Sequence, residues 1–311
     1  MQVTVVGAGV VGLTVAVRLA EDGHFVQVLT DRAPTETTSS VAAALWYPYL
    51  AAPADRTRAW GARTYEVLRG LAHSAPEAGV DLRHGREVLR RAAPAPSWHE
   101  DVDDFVQLGE GWAFTAPVAD MSVYLPWLAQ LAESHGVRTG HARLDRSALS
   151  DLRGDAVVLC PGLGASTLLG DPSLTPVRGQ VVLLEQTGVE QWVLAEPDDP
   201  DGDPTYVVPR RSVVVCGGTA RPGREDLDPE PTTTSAILRR CRTLVPELAS
   251  ARVVAQQVGL RPVRPQVRLE LDDTGTHAPA PVVHCYGHGG AGVTLSWGCA
   301  EEVTSIVRGL G

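Results

Sequence analysis

The most restrictive feature of this chain is a glycine-rich motif near its N-terminus, placed between a short apolar strand at 2–6 and a helix-period segment over 10–21. Gly23 ends that helix, and a second apolar strand follows at 25–29. Strand, glycine turn, helix and strand in this order form a βαβ unit, which predicts a parallel sheet. The motif itself consists of Gly7, Ala8, Gly9, Val10, Val11 and Gly12.

This motif, together with Asp31 at the end of the second strand, has the form of the dinucleotide-binding fingerprint. Gly7 permits a tight turn, Gly9 lets the backbone approach a pyrophosphate, and Gly12 allows the helix to pack closely on the strand. The helix N-terminus offers N–H groups to phosphates, and Asp31 would accept hydrogen bonds from ribose hydroxyls. The alternative interpretation is a glycine turn between packed elements that binds no ligand.

Composition excludes several reaction classes. All 27 basic side chains are Arg, and the 311 residues include neither Lys nor Asn. Without Lys there is no Schiff-base or pyridoxal-phosphate chemistry and no Walker A phosphate site. A net charge of −10 without a basic patch argues against nucleic acid or an anionic membrane as the main partner. The five cysteines form no CxxC pair, so we predict neither a metal site nor a disulfide framework.

Targeting signals are missing from the printed chain as well. It starts directly with a strand, and no apolar run reaches the roughly 18 residues that a membrane span needs. We therefore expect a cytoplasmic protein with reduced cysteines, no membrane partner and no nucleic-acid partner. The sequence is compatible with a homodimer but does not determine the oligomeric state.

A change in amino-acid composition along the chain predicts two domains. Frequent Pro and acidic residues set 51–134 apart, and a last strand at 282–286 leads into a second glycine turn and a closing helix near 293–308. Four short strands between these regions predict an antiparallel sheet; they lie at 181–184, 192–194, 206–208 and 212–216.

These elements predict an α/β fold in which both strand–glycine turn–helix units serve one nucleotide site. We assign 1–50, 135–180 and 255–311 to a Rossmann-type cofactor domain. The stretches 51–134 and 181–254 form an inserted α+β substrate domain built on the antiparallel sheet. Residues 195–204 are a loop rich in Asp and Pro.

Three further blocks give the chain a resemblance to a known family. A run of hydroxyl and small residues, 37–49 with the sequence TTSSVAAALWYPY, follows Asp31 and Arg32. The blocks GLRPVRPQ at 259–266 and HCYGHGGAG at 284–292 come later in the chain. In this order they resemble the D-amino-acid oxidase family of FAD flavoproteins, and the match runs from residue 1 to the C-terminal helix.

The resemblance implies FAD as the cofactor, and a second glycine turn argues for a flavin rather than for NAD. It implies backbone contacts between the cofactor and both glycine turns, with further contacts from the hydroxyl and small-residue run. Beyond the first motif, the implied FAD-binding residues are Asp31, Arg32, Thr37, Thr38, Ser39, Ala43, Ala44, Leu45, Leu144, Gly162, Gly289, Gly290, Ala291, Gly292, Val293 and Thr294.

Arg261 is the main candidate for substrate binding. An Arg in this proline-containing block presents a planar donor fork on a restricted backbone, which suits bidentate capture of a carboxylate. The resemblance implies that Arg261 binds the substrate α-carboxylate, that the Tyr206 hydroxyl assists it, and that the Gly290 carbonyl accepts a hydrogen bond from the amine. Arg264 is predicted to be a structural ion-pair partner, and an interface ion pair is the alternative role for Arg261. Vertebrate relatives carry a second active-site Tyr at the position of Gly202.

The implied reaction is hydride transfer from a D-amino acid to flavin N5, with O2 reduced to hydrogen peroxide and release of a 2-oxo acid and ammonia. The expected pocket positions Leu45, Tyr47 and Leu194 are uncharged, which favours neutral, mainly apolar side chains. Acidic residues in the nearby loop disfavour anionic substrates and raise D-Arg or D-Lys as a second hypothesis; they are Glu196, Asp198, Asp199, Asp201 and Asp203.

Four alternatives stay open at this stage. A glycine or sarcosine oxidase would share the architecture but lack the paired WYPY and RPVRP blocks. Sarcosine-oxidase-like and many amine-oxidase-like relatives place near flavin N5 a Lys that this chain does not contain. A D-aspartate oxidase needs a second cation in the pocket. An NAD-dependent dehydrogenase needs only the first glycine motif, and a catalytically silent FAD-binding protein needs no substrate pair. Cys285 is expected to pack beside its strand, and His284 and His288 to be structural or to lie near the flavin.

Overall fold

The computed structural model describes residues 1–48, 51–197, 202–272 and 278–311. Six α-helices lie in these ranges: α1 Val10–Glu21, α2 Ala54–Ser74, α3 Met121–Ser134, α4 Ala165–Leu168, α5 Pro231–Leu244 and α6 Gly292–Arg308. The strands of the first half are β1 Gln2–Val6, β2 Phe25–Thr30, β3 Val80–Val88, β4 Asp103–Leu108, β5 Gly111–Ala119, β6 Arg138–His141 and β7 Ala156–Leu159. Those of the second half are β8 Thr175–Glu185, β9 Trp192–Ala195, β10 Thr205–Pro209, β11 Val213–Gly217, β12 Arg221–Pro222, β13 Val253–Asp272 and β14 Val282–His288.

The parallel part of the sheet confirms the predicted βαβ unit. Strand β1 pairs in parallel with β2 on one side and with β7 on the other, and β6 and β14 extend the row at its two ends. The apolar runs of β1, β7 and β14 are almost wholly buried, as expected for parallel strands covered on both faces. Helix α1 has the predicted bounds, and Gly23 follows its C-terminus with φ +84°, a conformation that favours glycine.

The predicted antiparallel strands are present, but they belong to the same hydrogen-bonded sheet as the parallel ones. The strand order is β4-β5-β3-β9-β10-β11-β8-β13-β14-β7-β1-β2-β6, with β12 paired to β8 off this path. The 20-residue strand β13 makes the connection, because its first half pairs with β8 and its second half with β14. The block that contains Arg261 therefore lies where the two parts of the sheet meet.

The two faces of the antiparallel part have different cover. Helix α5 packs on one face, against buried Val182, Val207 and Cys216, and contributes Ile237 and Cys241 to that core. The opposite face is lined by the strand residues that alternate with these, since successive side chains point to opposite sides of a strand. This second face carries the candidate site.

Candidate active site

The first glycine turn has the geometry that the sequence predicts. Gly7 adopts φ +107°, and a Cβ there would lie 2.3 Å from the carbonyl oxygen of Cys160. A Cβ on Gly12 would lie 1.9 Å from the Gly7 carbonyl oxygen, so the helix contacts the turn directly. Gly9 is the N-cap of α1 and has no side chain to cap it. The backbone at the helix N-terminus is therefore approachable, which fits the pyrophosphate of a dinucleotide.

The hydroxyl run lies against the first glycine turn. The Ser39 hydroxyl accepts a hydrogen bond from the Val10 N–H at 3.1 Å. Residues Thr38–Val41 form a short 3-10 helix that contacts β13, where a Cβ on Gly259 would lie 3.2 Å from Val41 Cβ. The run therefore joins the N-terminal turn to the strand of the Arg261 block, and the sequence predicted both segments to contribute to one site.

Arg210 holds the small-residue run in place, a role that we did not predict from the sequence. Its guanidinium is 5% exposed and donates to the carbonyl oxygens of Ala42 and Ala43. One of its nitrogens lies 3.6 Å from an Asp120 carboxylate oxygen. Ala44 adopts φ +59° directly after this anchor. The sequence does not indicate this role, because backbone carbonyl oxygens are present at every residue. An Arg that binds them therefore requires no particular residue types and leaves no motif.

The second glycine turn lies beside the Arg261 block. The Gly289 N–H donates to the Pro262 carbonyl at 2.9 Å. At the start of α6, the Thr294 hydroxyl donates to the Tyr47 carbonyl at 3.0 Å and accepts from the Tyr47 N–H at 3.2 Å. The three blocks of the resemblance therefore converge at the junction of the two parts of the sheet. Gly290 is exposed at the tip of the turn.

Arg261 and Tyr206 meet across two glycines in neighbouring strands. A Cβ on Gly179 of β8 would lie 2.5 Å from an Arg261 guanidinium nitrogen, and one on Gly217 of β11 would lie 2.0 Å from Tyr206 Cζ. Both side chains therefore lie flat over these two glycines, and they are close enough for the Arg261 charge to act on the Tyr206 hydroxyl. Arg261 also donates to the Thr219 carbonyl at 2.9 Å, which uses one of its five donors.

The protonation states of this pair suit anion binding. Burial raises the pKa of Tyr206 above its ordinary value, even though the neighbouring Arg261 cation acts in the opposite direction. The Tyr206 hydroxyl is therefore protonated at neutral pH and can donate a hydrogen bond, and a guanidinium is always charged in proteins. The pair is a cationic donor set that lies over two glycines.

The glycine under the Tyr206 ring gives a direct test of this geometry. Gly217→Ala places a methyl group where the ring lies, so the ring must shift and its hydroxyl moves away from Arg261. We expect kcat/KM to fall about ten- to a hundredfold, the effect of misplacing a positioned group by about 1 Å. Gly109→Ala is the matched control, because a Cβ there meets nothing within 4 Å. Gly179 and Gly217 together form a glycine floor beneath Arg261 and Tyr206. Equal kinetics for the two variants would show that this floor does not position the Tyr206 ring.

The predicted structural role of Arg264 is confirmed. Its Nε donates to Asp171 at 3.0 Å, and the same carboxylate accepts from the Tyr286 hydroxyl at 2.9 Å and from Ser173. Burial alone would raise the pKa of Asp171, but the hydrogen bonds from Ser173, Tyr286 and Arg264 outweigh it and hold this pKa well below its ordinary range. The Asp171 carboxylate thus links β13 and β14 to the loop before β8.

This network predicts a pH-dependent loss of stability. Asp171→Asn should lower the free energy of unfolding by about 2 kcal/mol at pH 7, the scale of hydrogen bonds to a charged group. Because the pKa of Asp171 is depressed in the folded state, its stabilisation is present at neutral pH and disappears as pH falls below about 3.8, the unfolded value. Urea unfolding of wild type and variant at pH 7 and in acid measures this. A stability difference that persisted unchanged in acid would contradict it.

The remaining cofactor-binding predictions are not tested by the structure alone. Asp31 and Arg32 follow β2 with half or more of their side chains exposed, 3.8 Å apart. Leu144 packs at the edge of the small core around Leu159, and Gly162 adopts φ +56° after β7. The backbone at Ala291, Gly292 and Val293 starts α6.

Strand β14 contains His284, Cys285 and His288, and all three side chains are buried. The donor atoms of Cys285, His288 and Cys299 lie within 4.8 Å of one another. Tyr49 of the WYPY segment and three residues of the acidic loop, Asp198, Asp199 and Asp201, lie outside the described residues.

The residues present fit a flavin dinucleotide. One glycine turn offers a helix N-terminus to a pyrophosphate, the other exposes backbone beside the Arg261–Tyr206 pair, and the run from Thr37 to Leu45 lies between them. Fold and site define a flavin-dependent oxidoreductase. The chain belongs to the FAD-dependent oxidoreductase (DAO) family, whose model matches residues 2–306.

Comparison with named relatives makes this assignment more specific. The chain is 47% identical to the D-amino-acid oxidase of Rubrobacter xylanophilus, with 97% of this chain and 94% of that protein covered. It is 40% identical to the D-amino-acid oxidase of Streptomyces coelicolor, with 98% and 96% covered. The D-aspartate oxidase of Homo sapiens is 35% identical, with 98% and 94% covered.

Solved structures show the same fold at low sequence identity. Glycine oxidase from Bacillus cereus has a TM-score of 0.75 at 19% identity and covers all of this chain, with 95% of that chain covered. Iminodiacetate oxidase from Chelativorans has a TM-score of 0.77 at 20% identity, with 99% and 95% covered. Within the described residues, no helix is both long and apolar enough to cross a membrane.

Proposed function

We propose that this chain is a D-amino-acid oxidase that converts D-amino acids into 2-oxo acids and ammonia, with O2 reduced to hydrogen peroxide. One observation carries the proposal: Arg261 and Tyr206 converge over two glycines next to the second glycine turn. A guanidinium and a phenol at the edge of a flavin-binding surface form a receptor for an α-carboxylate. The identities of 47% and 40% to D-amino-acid oxidases support the same conclusion.

The chain's own residues bind and orient the substrate. The Arg261 guanidinium and the Tyr206 hydroxyl hold the carboxylate, and the Gly290 carbonyl accepts a hydrogen bond from the amine. Two fixed ends leave the Cα–H only one orientation, which is the main contribution that positioning makes to such a reaction. FAD, when bound, supplies the acceptor for the hydride and passes the electrons to O2. A substrate whose amine is neutral needs no side-chain base for this transfer.

The same site distinguishes the alternatives. A D-aspartate oxidase needs a cation for the second carboxylate, whereas the face that carries Tyr206 also carries Glu87 and the uncharged Leu194, with Tyr47 beside Glu87. We propose that neutral, mainly apolar D-amino acids are substrates and that D-Asp is a poor one. A glycine or sarcosine oxidase would show its highest kcat/KM with substrates that have no side chain.

Peroxide release tests this proposal. Purified, flavin-loaded protein is assayed with D-Val, D-Met, D-Asp, glycine and sarcosine, and 2-oxo acid and ammonia are measured alongside. We expect the highest kcat/KM with D-Val or D-Met and equal amounts of peroxide and ammonia. Faster turnover of D-Asp, glycine or sarcosine than of D-Val and D-Met would contradict the proposal.

We also propose a cytoplasmic location. The five cysteines are free thiols, as expected in a reducing compartment, which supports a cytoplasmic location. The homodimer and the division into two domains at the predicted boundaries stay predictions.

A further inference from the structure

A carboxylate lies on the same face of the sheet as the Arg261–Tyr206 pair. Residues paired across neighbouring strands point to the same face, and the row runs from Glu87 on β3 through Leu194 on β9 to Tyr206 on β10. It continues to Gly217 on β11, the glycine beneath the Tyr206 ring. The Glu87 side chain therefore points to the substrate side of the sheet.

Arg261 belongs to this face as well. Gly217 pairs with Val181 of β8, which pairs with Gln257 of β13, and Arg261 lies four residues further along β13. Because side chains alternate along a strand, residues 257, 259 and 261 share one face. Arg261 and Glu87 thus lie towards opposite ends of one surface, with opposite charges.

The separation suits a long substrate. Neighbouring strands are about 4.8 Å apart. The backbone of Glu87 therefore lies about 10 Å from that of Tyr206, two strands away, and about 14 Å from that of Gly217, three strands away. Since the Tyr206 ring leans over Gly217, the carboxylate site lies towards that floor and away from Glu87. A small side chain cannot bridge this distance, but an extended side chain with a terminal cation can.

Glu87 has no cationic partner among the residues that the structure describes. The Tyr47 hydroxyl donates a hydrogen bond to its carboxylate, and no Arg or His of the described chain forms an ion pair with it. Burial raises the pKa of Glu87, and the nearby Glu196 carboxylate adds to this. A half-buried carboxylate beside a second one is unfavourable alone and gains from pairing with a cation.

We propose that Glu87 recognises the cationic end of a substrate side chain, so that D-Arg and D-Lys bind with their α-carboxylate at Arg261 and Tyr206 and their guanidinium or ammonium at Glu87. This rests on the proposed D-amino-acid oxidase activity and extends it to a second substrate class. Short apolar substrate side chains extend only as far as Leu194, and long cationic ones reach Glu87 beyond it. Glu196 adds to the negative potential there.

A pair of nearly isosteric substrates tests this. D-citrulline has the shape of D-Arg without its charge, so the ratio of kcat/KM for D-Arg to that for D-citrulline isolates the charge. We expect a ratio of about ten or more in the wild type, the scale of one hydrogen bond to a charged group. In Glu87→Gln the ratio should fall close to one, while Glu87→Asp, which keeps the charge, should retain a preference for D-Arg.

Glu190→Gln is the matched control, because Glu190 is exposed in the loop before β9, and it should leave the ratio unchanged. A wild-type ratio near one, or a ratio that Glu87→Gln does not lower, would overturn the inference. The wild-type ratio decides the matter even if Glu87→Gln does not fold. If D-Val and D-Met are oxidised but D-Arg shows no such preference, only this inference fails; if no D-amino acid is oxidised, the proposed function fails.

Discussion

Replacing Arg261 with Ala should abolish most of the activity while leaving a folded, flavin-containing protein. Arg261 places a fixed positive charge over Gly179, beside Tyr206. A bidentate pair with a carboxylate contains two hydrogen bonds to charged groups, together about 3–5 kcal/mol, so kcat/KM should fall roughly a hundred- to several-thousandfold.

The matched control for this variant is Arg264→Ala, in the same block. Arg264 donates to Asp171 and not to the pair, so its loss should lower the unfolding midpoint and change kcat/KM far less. Steady-state kinetics with D-Val, together with urea unfolding, separates the two Arg residues. Similar kinetic losses for both variants would show that Arg261 acts through the interface ion pair rather than through the substrate. Arg261→Lys should recover little, because an ammonium cannot reproduce the fork.

Gly12→Val should have the largest effect on the protein as a whole. A Cβ on Gly12 would lie 1.9 Å from the Gly7 carbonyl oxygen. Gly7 is itself packed against Cys160, because a Cβ on Gly7 would lie 2.3 Å from the Cys160 carbonyl oxygen. Backbone on both sides cannot give way as a flexible side chain can, so α1 must move off the turn. We expect loss of bound flavin and a fall in the free energy of unfolding of about 3 kcal/mol or more, as for overpacking in a tight core.

The flavin absorbance of the purified protein and its urea unfolding measure this effect. Gly70→Ala in α2 is a suitable control, since a Cβ there meets nothing within 4 Å and Ala favours the helix. That variant should bind flavin as the wild type does. Wild-type flavin content in Gly12→Val would contradict the assignment of the first glycine turn to the cofactor.

The sequence predicts much of the fold because its signals are local. The βαβ unit and the bounds of α1 follow from glycine spacing and apolar periodicity. Each of these depends on residues close together in the chain. The continuous sheet does not follow from local signals. It depends on the 20-residue strand β13, whose run of Pro and Arg resembles a loop and whose two halves pair with β8 and β14.

The parts of the site that sequence reasoning missed depend on pairing between distant strands. Gly179 and Gly217 become a floor only once β8 and β11 are neighbours, although the glycines in both strands were a visible signal. Glu87 reaches the site through the β3–β9 register, and Arg210 by binding backbone carbonyls. No spacing within the sequence reports such long-range register.

Anaerobic reduction of the bound flavin tests the central claim most directly. The protein is mixed in the absence of O2 with D-Val, with L-Val and with NADH, and the flavin absorbance is followed. We predict that D-Val bleaches the flavin rapidly, that L-Val and NADH do not, and that air restores the colour with formation of peroxide. Bleaching by L-Val or by NADH alone, or a purified protein without flavin absorbance, would contradict the account.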